Sequence, residues 1–115
     1  MPVAAARFAF CNGMSREQRR LALSRLCLKS TRVIVEPVDR RDLPGEVPQT
    51  WILTLRDRAL SARQQHRCMA ALGGVDTVVC VDSCHDVMIS EPRRLAEILI
   101  ERCRLRSRLP RLCVH

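Results

Sequence analysis

The 115-residue sequence has no tyrosine, one tryptophan and two phenylalanines. With only Phe8, Phe10 and Trp51 to supply aromatic bulk, a core must be built from aliphatic and small side chains. Lysine is almost absent as well: Lys29 is the only one among twenty Lys and Arg residues, so arginine carries the +8 formal charge. Such a balance can mark nucleic-acid binding, because Arg and Lys neutralise phosphates. The arginines are spread along the chain, however, and no aromatic residues interleave with them to stack bases. The pattern therefore disfavours nucleic acid as a partner, and arginine usage of this kind equally reflects coding composition.

Long apolar runs are missing too. Nothing approaches the roughly eighteen residues of a membrane span, and "MPVAAARFAF" lacks the basic segment and cleavage site of a secretory signal. The expectation is a cytoplasmic protein with no membrane partner. Its seven cysteines, 11, 27, 68, 80, 84, 103 and 113, are then reduced thiols, serving mostly as small apolar fillers.

What is present reads as one small globular domain, 47% hydrophobic and 28% charged. "SREQRRLALSRLCL" (15–28) opens with Ser15 and Gln18 at capping-box spacing and carries a broad apolar face, Leu21, Leu23, Leu26, Cys27 and Leu28, which predicts a helix. "TRVIVEPV" follows as a short extended piece, and the polar, proline-bearing 39–49 stretch as a connector. "TWILTL" (50–55) and "TVVCV" (77–81) read as strands covered on both faces. Between them "SARQQHRCMAAL" (61–72) repeats the capping pair with Ser61 and Gln64, places Ala62, Gln65, Met69 and Leu72 on one side, and stops at Gly73-Gly74. A further helix, 90–103, opens with Ser90 as its cap, takes Pro92 in its first turn, and turns Leu95, Ile98, Leu99 and Cys103 inward. This order is a βαβα unit, whose two strands run parallel across a crossover. The 104–115 stretch is a basic tail that continues no pattern.

"CVDSCHDVMIS" (80–90) gathers two cysteines, two aspartates and a histidine. A metal site at Cys80, Asp82, Cys84, His85 and Asp86 has every ligand type but lacks the second matching pair that structural zinc requires, and a c-type haem needs two residues between its cysteines where here there are three. Cys84 beside His85 is a poor nucleophile–base pair, since adjacent side chains diverge. A third reading uses position. Ligands of open α/β sheets sit beyond the carboxyl ends of strands, and Asp57 and His85 each lie just past such an end. An Asp that orients an imidazole is the acid–base half of a hydrolytic triad; a surface aspartate and a chance histidine would give the same spacing.

The run from "VPQTWILTLRDRAL" through "SARQQHRCMAALGGVDTVVCVDSCHDVMISEPRRLAEILIERC" resembles the C-terminal end of α/β-hydrolases. The branch it is most similar to is that of the hydroxynitrile lyases and methylester-cleaving esterases. The matching features are the acid loop with Asp57, then Gln64 or Gln65, the His85 loop, and Ser90 and Pro92 opening the last helix. "ARFAFCNGMSREQRRLALSRL" is similar to the return from cap to core in those enzymes. The resemblance implies Asp57 as triad acid, His85 as triad base, a small ester-like substrate and no cofactor. It also implies an α/β fold that is a partial hydrolase core: residues 1–49 a cap remnant and connector, 50–103 the last two parallel strands with flanking helices, and 104–115 the tail. The G-x-S-x-G elbow that carries the family's nucleophile is missing, since Gly13, Gly45, Gly73 and Gly74 enclose no such serine. The expectation is a truncated, esterase-like chain that starts after its nucleophile and is inactive alone. An uncovered sheet edge would leave it open to a protein partner or to a second copy.

Overall fold

The computed structural model describes residues 2–27, 32–39, 41 and 47–108. The expected connector therefore lies largely, and the last seven residues of the expected tail wholly, outside the described residues. Eight elements are described: α1 (Val3–Phe10), α2 (Arg16–Ser24), α3 (Arg32–Val35), β1 (Thr50–Thr54), α4 (Ala62–Ala71), β2 (Thr77–Val81), α5 (Val87–Ser90) and α6 (Pro92–Arg108). The architecture is mixed α/β around a two-stranded parallel sheet in which Thr50 pairs with Thr77 and Thr54 with Val81.

Both capping boxes form. Ser15 and Gln18 close the start of α2, and Ser61 and Gln64 the start of α4, each pair exchanging side-chain and backbone bonds. Gly73, at φ +85°, terminates α4 in the left-handed conformation that a β-carbon would strain.

The core has two parts. Val81, Val87 and Ile98 pack with Ile52, Val79 and Leu95, joining the sheet to α5 and α6. Cys11, Met14, Ala22 and Cys84 pack with Phe10, Leu23 and Ile89, seating α1 and α2 on the loop after β2. Gln18 reinforces this second contact, its Nε2 donating to the carbonyls of Ile89 and Ser90 at 2.9 and 3.1 Å.

Several expectations are corrected. Residues 3–10, for which no element was expected, form a helix of their own. "TRVIVEPV" is not extended at its centre: Arg32–Val35 is a helical turn, since three consecutive apolar residues alone carry no period. β1 is covered on both faces at its carboxyl end, where Leu53 and Thr54 are both buried, but β2 is not. Along β2, Val78 and Cys80 are exposed while Val79 and Val81 face the core, because α5 and α6 cover one face of this strand and α4, on the other, packs against β1. The helix read from 90 is two elements. Ser90 ends α5, its hydroxyl donating back to the Asp86 carbonyl, and does not cap α6. Without that cap α6 begins at Pro92, and it runs through Arg108, so the first residues of the tail are helical. Ile98 is buried in α6 as expected, but Leu99 and Cys103 are exposed. α2 ends at Ser24, short of the expected 28; its buried residue is Ala22, and Leu21 and, beyond the helix, Leu26 stand half in solvent. Of the cysteines, 11 and 84 are core fillers, 68 is half-buried, 27, 80 and 103 are exposed, and 113 lies outside the described residues.

Candidate functional site

Parallel pairing aligns the carboxyl ends of β1 and β2, and so brings their following loops side by side. Leu55 donates its N–H to the Val81 carbonyl and Arg56 donates to that of Ser83, carrying the ladder one step past the strands. Arg56 then clamps both loops, with Nη2 on the Asp82 carbonyl at 2.7 Å and Nε on the Asp82 carboxylate at 2.7 Å. From the other side Asn12 donates Nδ2 to the Arg56 carbonyl at 2.7 Å.

Asp57 and His85 meet in this junction, with Oδ2 2.8 Å from Nδ1. The carboxylate is the better fixed partner, its side chain 2% exposed against 38% for the imidazole. Oδ1 accepts from the N–H groups of Ala59 and Leu60 at 2.8 and 2.7 Å, and Oδ2 accepts the Thr54 hydroxyl at 2.9 Å. Burial alone would raise this carboxyl. The Leu60 N–H outweighs it together with the bonds from His85 and Thr54, and the group is held below the ordinary aspartate value. An ionised Asp57 accepts a hydrogen bond from Nδ1–H and so leaves the Nε2 lone pair as the ring's basic position. Among the described residues Nε2 makes no hydrogen bond. Phe10 packs on the imidazole with ring centroids 5.3 Å apart and planes tilted by 54°.

Asp86 is the second carboxyl of the site. Burial pushes it upward, the His85 charge lowers it, and the Asp57 charge raises it further, so its net shift opposes that of Asp57. The remaining residues of the opening cluster go separate ways: Cys80 is exposed on β2, Asp82 pairs with Arg56, and Cys84 is buried in the core beside α1 and α2. Among the described residues no group of three His, Cys, Asp or Glu side chains is placed to hold a metal ion. Cys11, near this loop, is a poor nucleophile in its setting, because burial and the charges of Asp86 and Cys84 raise its thiol above the usual range.

Three supporting residues escape sequence reasoning. Thr54 reads as one more strand position, Phe10 as an apolar helix residue, and Gln65 as interchangeable with Gln64. The structure divides the two glutamines: Gln64 closes the capping box of α4, while Gln65 is buried against β1. The signal for Gln65 is available in principle, since it stands on the inward side of the helix with Met69. The arrangement as a whole is an oriented, partly exposed imidazole beside a buried carboxylate, and among the described residues no hydroxyl or thiol is bonded to its Nε2. No protein-family model, curated protein or solved structure matches the chain.

Proposed function

We propose that the chain is the acid–base portion of an α/β-hydrolase of esterase type, with Asp57 as triad acid and His85 as triad base. The observation that carries this reading is the 2.8 Å contact of His85 Nδ1 with a buried, ionised Asp57. Its placement supports the reading as well, because the acid follows one parallel strand and the base follows the next, in the chain order acid then His. The partial hydrolase fold, the cap role of the N-terminal helices and a small ester as substrate belong to the same proposal. Within the 115 residues no serine stands between spaced glycines. A missing oxyanion donor alone removes about 10²–10³ in rate, and a missing nucleophile leaves the imidazole only water to activate. The chain is therefore inactive by itself. A fluorophosphonate probe tests this: no labelling is expected, and clear labelling of one serine overturns it. Nitrogen-15 NMR of the imidazole tests the pair independently, with a proton on Nδ1 and none on Nε2 in the neutral ring.

A second reading, an interaction module that completes another hydrolase chain, is favoured by the outer edge of β2, which among the described residues pairs with no strand but β1. It predicts a stable complex by size-exclusion chromatography with light scattering on co-expressed material, and a monodisperse monomer counts against it.

A further inference from the structure

α6 carries a second apolar face, which stands in solvent. Its inward face is Ile98, buried, with Leu95 half-buried beside it, and the two pack with Ile52, Val79, Val81 and Val87. Ala96, Leu99, Ile100 and Cys103 lie roughly 100–200° around the helix from Ile98. All four are exposed, Leu99 at 53% and Ile100 at 51%. Their positions, i, i+3, i+4 and i+7, make one continuous seam along the helix. On one side the seam adjoins a hollow of about 420 Å³, which Leu99 and Cys103 border together with Pro48, Ile52 and Thr77. This apolar surface lies by the amino ends of the strands, at the opposite end of the sheet from His85.

The charges beside the seam indicate what covers it. Glu97 and Arg104 are both exposed and stand seven residues apart, so they share the flank of the seam away from the hollow. Two α6 helices packed antiparallel about a two-fold axis lay this flank on its own copy with the residue order reversed. With the axis passing between Ile100 and Glu101, Glu97 faces Arg104 of the second copy, and Arg104 faces its Glu97. Leu99 and Ile100 of one chain then fall between Cys103 and Ile100 of the other, so the seam side chains interleave. Glu97 also bonds Arg94 within its own chain at 3.3 Å, and a carboxylate can accept from two arginines at once.

We propose that α6 is the interface of a symmetric dimer of this chain, its Ala96, Leu99, Ile100 and Cys103 seam packed antiparallel on the same seam of a second copy, with Glu97 and Arg104 paired between copies. A two-fold contact needs a surface that complements itself. An acid and a base at mirrored positions of one flank meet that need, whereas a partner of one charge sign would be matched at only one of them. The interface uses neither the Asp57–His85 pair nor the edge of β2, so it stands or falls apart from both functional readings. One helix pair is small beside the roughly 800 Å² per partner of a standard interface, so the dimer is expected to dissociate in the micromolar range.

The test is sedimentation equilibrium of the full chain under reducing conditions, across and above micromolar concentrations. A monomer–dimer equilibrium is expected. Leu99→Glu changes an exposed position and is expected to leave only monomer, with an unchanged far-ultraviolet circular dichroism spectrum. Glu97→Arg and Arg104→Glu each turn two exposed ion pairs repulsive, and each alone is expected to weaken the dimer about tenfold. The double reversal restores both pairs and is expected to restore the dimer. A monomer at every concentration overturns the proposal, and so does a series of larger species, since a closed two-fold contact stops at two. A dimer that survives Leu99→Glu overturns it too and assigns the contact elsewhere, the β2 edge included. Single reversals without effect, or a double reversal that restores nothing, overturn the antiparallel pairing on which the proposal rests.

Discussion

The side-chain amide of Gln65 bonds both backbone groups of Thr54: Oε1 accepts from its N–H at 3.2 Å and Nε2 donates to its carbonyl at 3.0 Å. One buried side chain thus stands where a neighbouring strand would pair, on the edge of β1 away from β2. The same amide takes the Trp51 indole N–H at 3.3 Å and reaches the Leu60 carbonyl at 2.9 Å. Because Leu60 and Thr54 are also the residues that hold Asp57, Gln65 braces the acid loop from one bond behind it.

Replacing Gln65 with Ala leaves the Thr54 N–H and the Thr54 and Leu60 carbonyls without their partner. An orphaned buried group costs about 1–3 kcal/mol, so Gln65→Ala should lose about 2 kcal/mol or more in urea unfolding. Amide exchange at Thr54 should accelerate beyond what the global loss accounts for. A loss below about 0.5 kcal/mol, the range of ordinary surface changes, would show that Gln65 is not a brace.

Asp57→Asn preserves the shape of the side chain but removes its charge. Oδ1 still accepts from Ala59 and Leu60, while an amide NH₂ now faces both the Thr54 hydroxyl and His85 Nδ1. Hydrogen bonds to a charged acceptor contribute about 1.5–3 kcal/mol each, so a loss of about that size is expected, with the imidazole proton moving from Nδ1 to Nε2. Nitrogen-15 spectra of His85 read the tautomer directly.

The two carboxyls beside His85 predict opposite pH responses. Asp57 is lowered in the folded chain, so its contribution is present above the unfolded value of about 4 and disappears as pH falls through the folded one. Asp86 is raised, so the folded chain holds its proton longer. The stability this adds is present below about pH 4 and is lost as pH rises through the folded value. Asp86→Asn should accordingly raise the urea midpoint at pH 7 and leave it nearly unchanged at pH 3. An unchanged midpoint at pH 7 would contradict the burial cost assigned to this group.

Gln18→Ala removes half of the α2 capping box and both bonds to the end of α5. Loss of a helix cap costs about 0.5–2 kcal/mol. The more specific outcome is detachment of the N-terminal helices from the His85 loop, read as changed Phe10 and His85 ring shifts. Ser61→Ala, which disturbs only the α4 cap, should leave those ring shifts in place.

The elements that depend on nearest neighbours were legible in the chain. Ser-x-x-Gln at 15–18 and 61–64 specifies two helix starts, because capping is completed within four residues. Apolar runs separated by one helix specify parallel strands, which puts Asp57 and His85 at one end of the sheet. Ser90 misled because it satisfies the same local rule as Ser15, yet the chain had already turned helical at Val87 and spent the hydroxyl on Asp86.

By itself, then, the sequence determined the βαβα order, the cap positions and the two residues placed at neighbouring strand ends, since each follows from side-chain period and backbone chemistry within a few residues. Tertiary structure alone decided which faces are covered, which is why Val78 and Cys80 are exposed on a strand that reads as buried throughout. It decided that Gln65 and not Gln64 supports the acid loop, and that Cys11 and Cys84 share one core while Cys80 does not. Burial and long-range charge depend on which surface comes to lie opposite, and no local pattern encodes that.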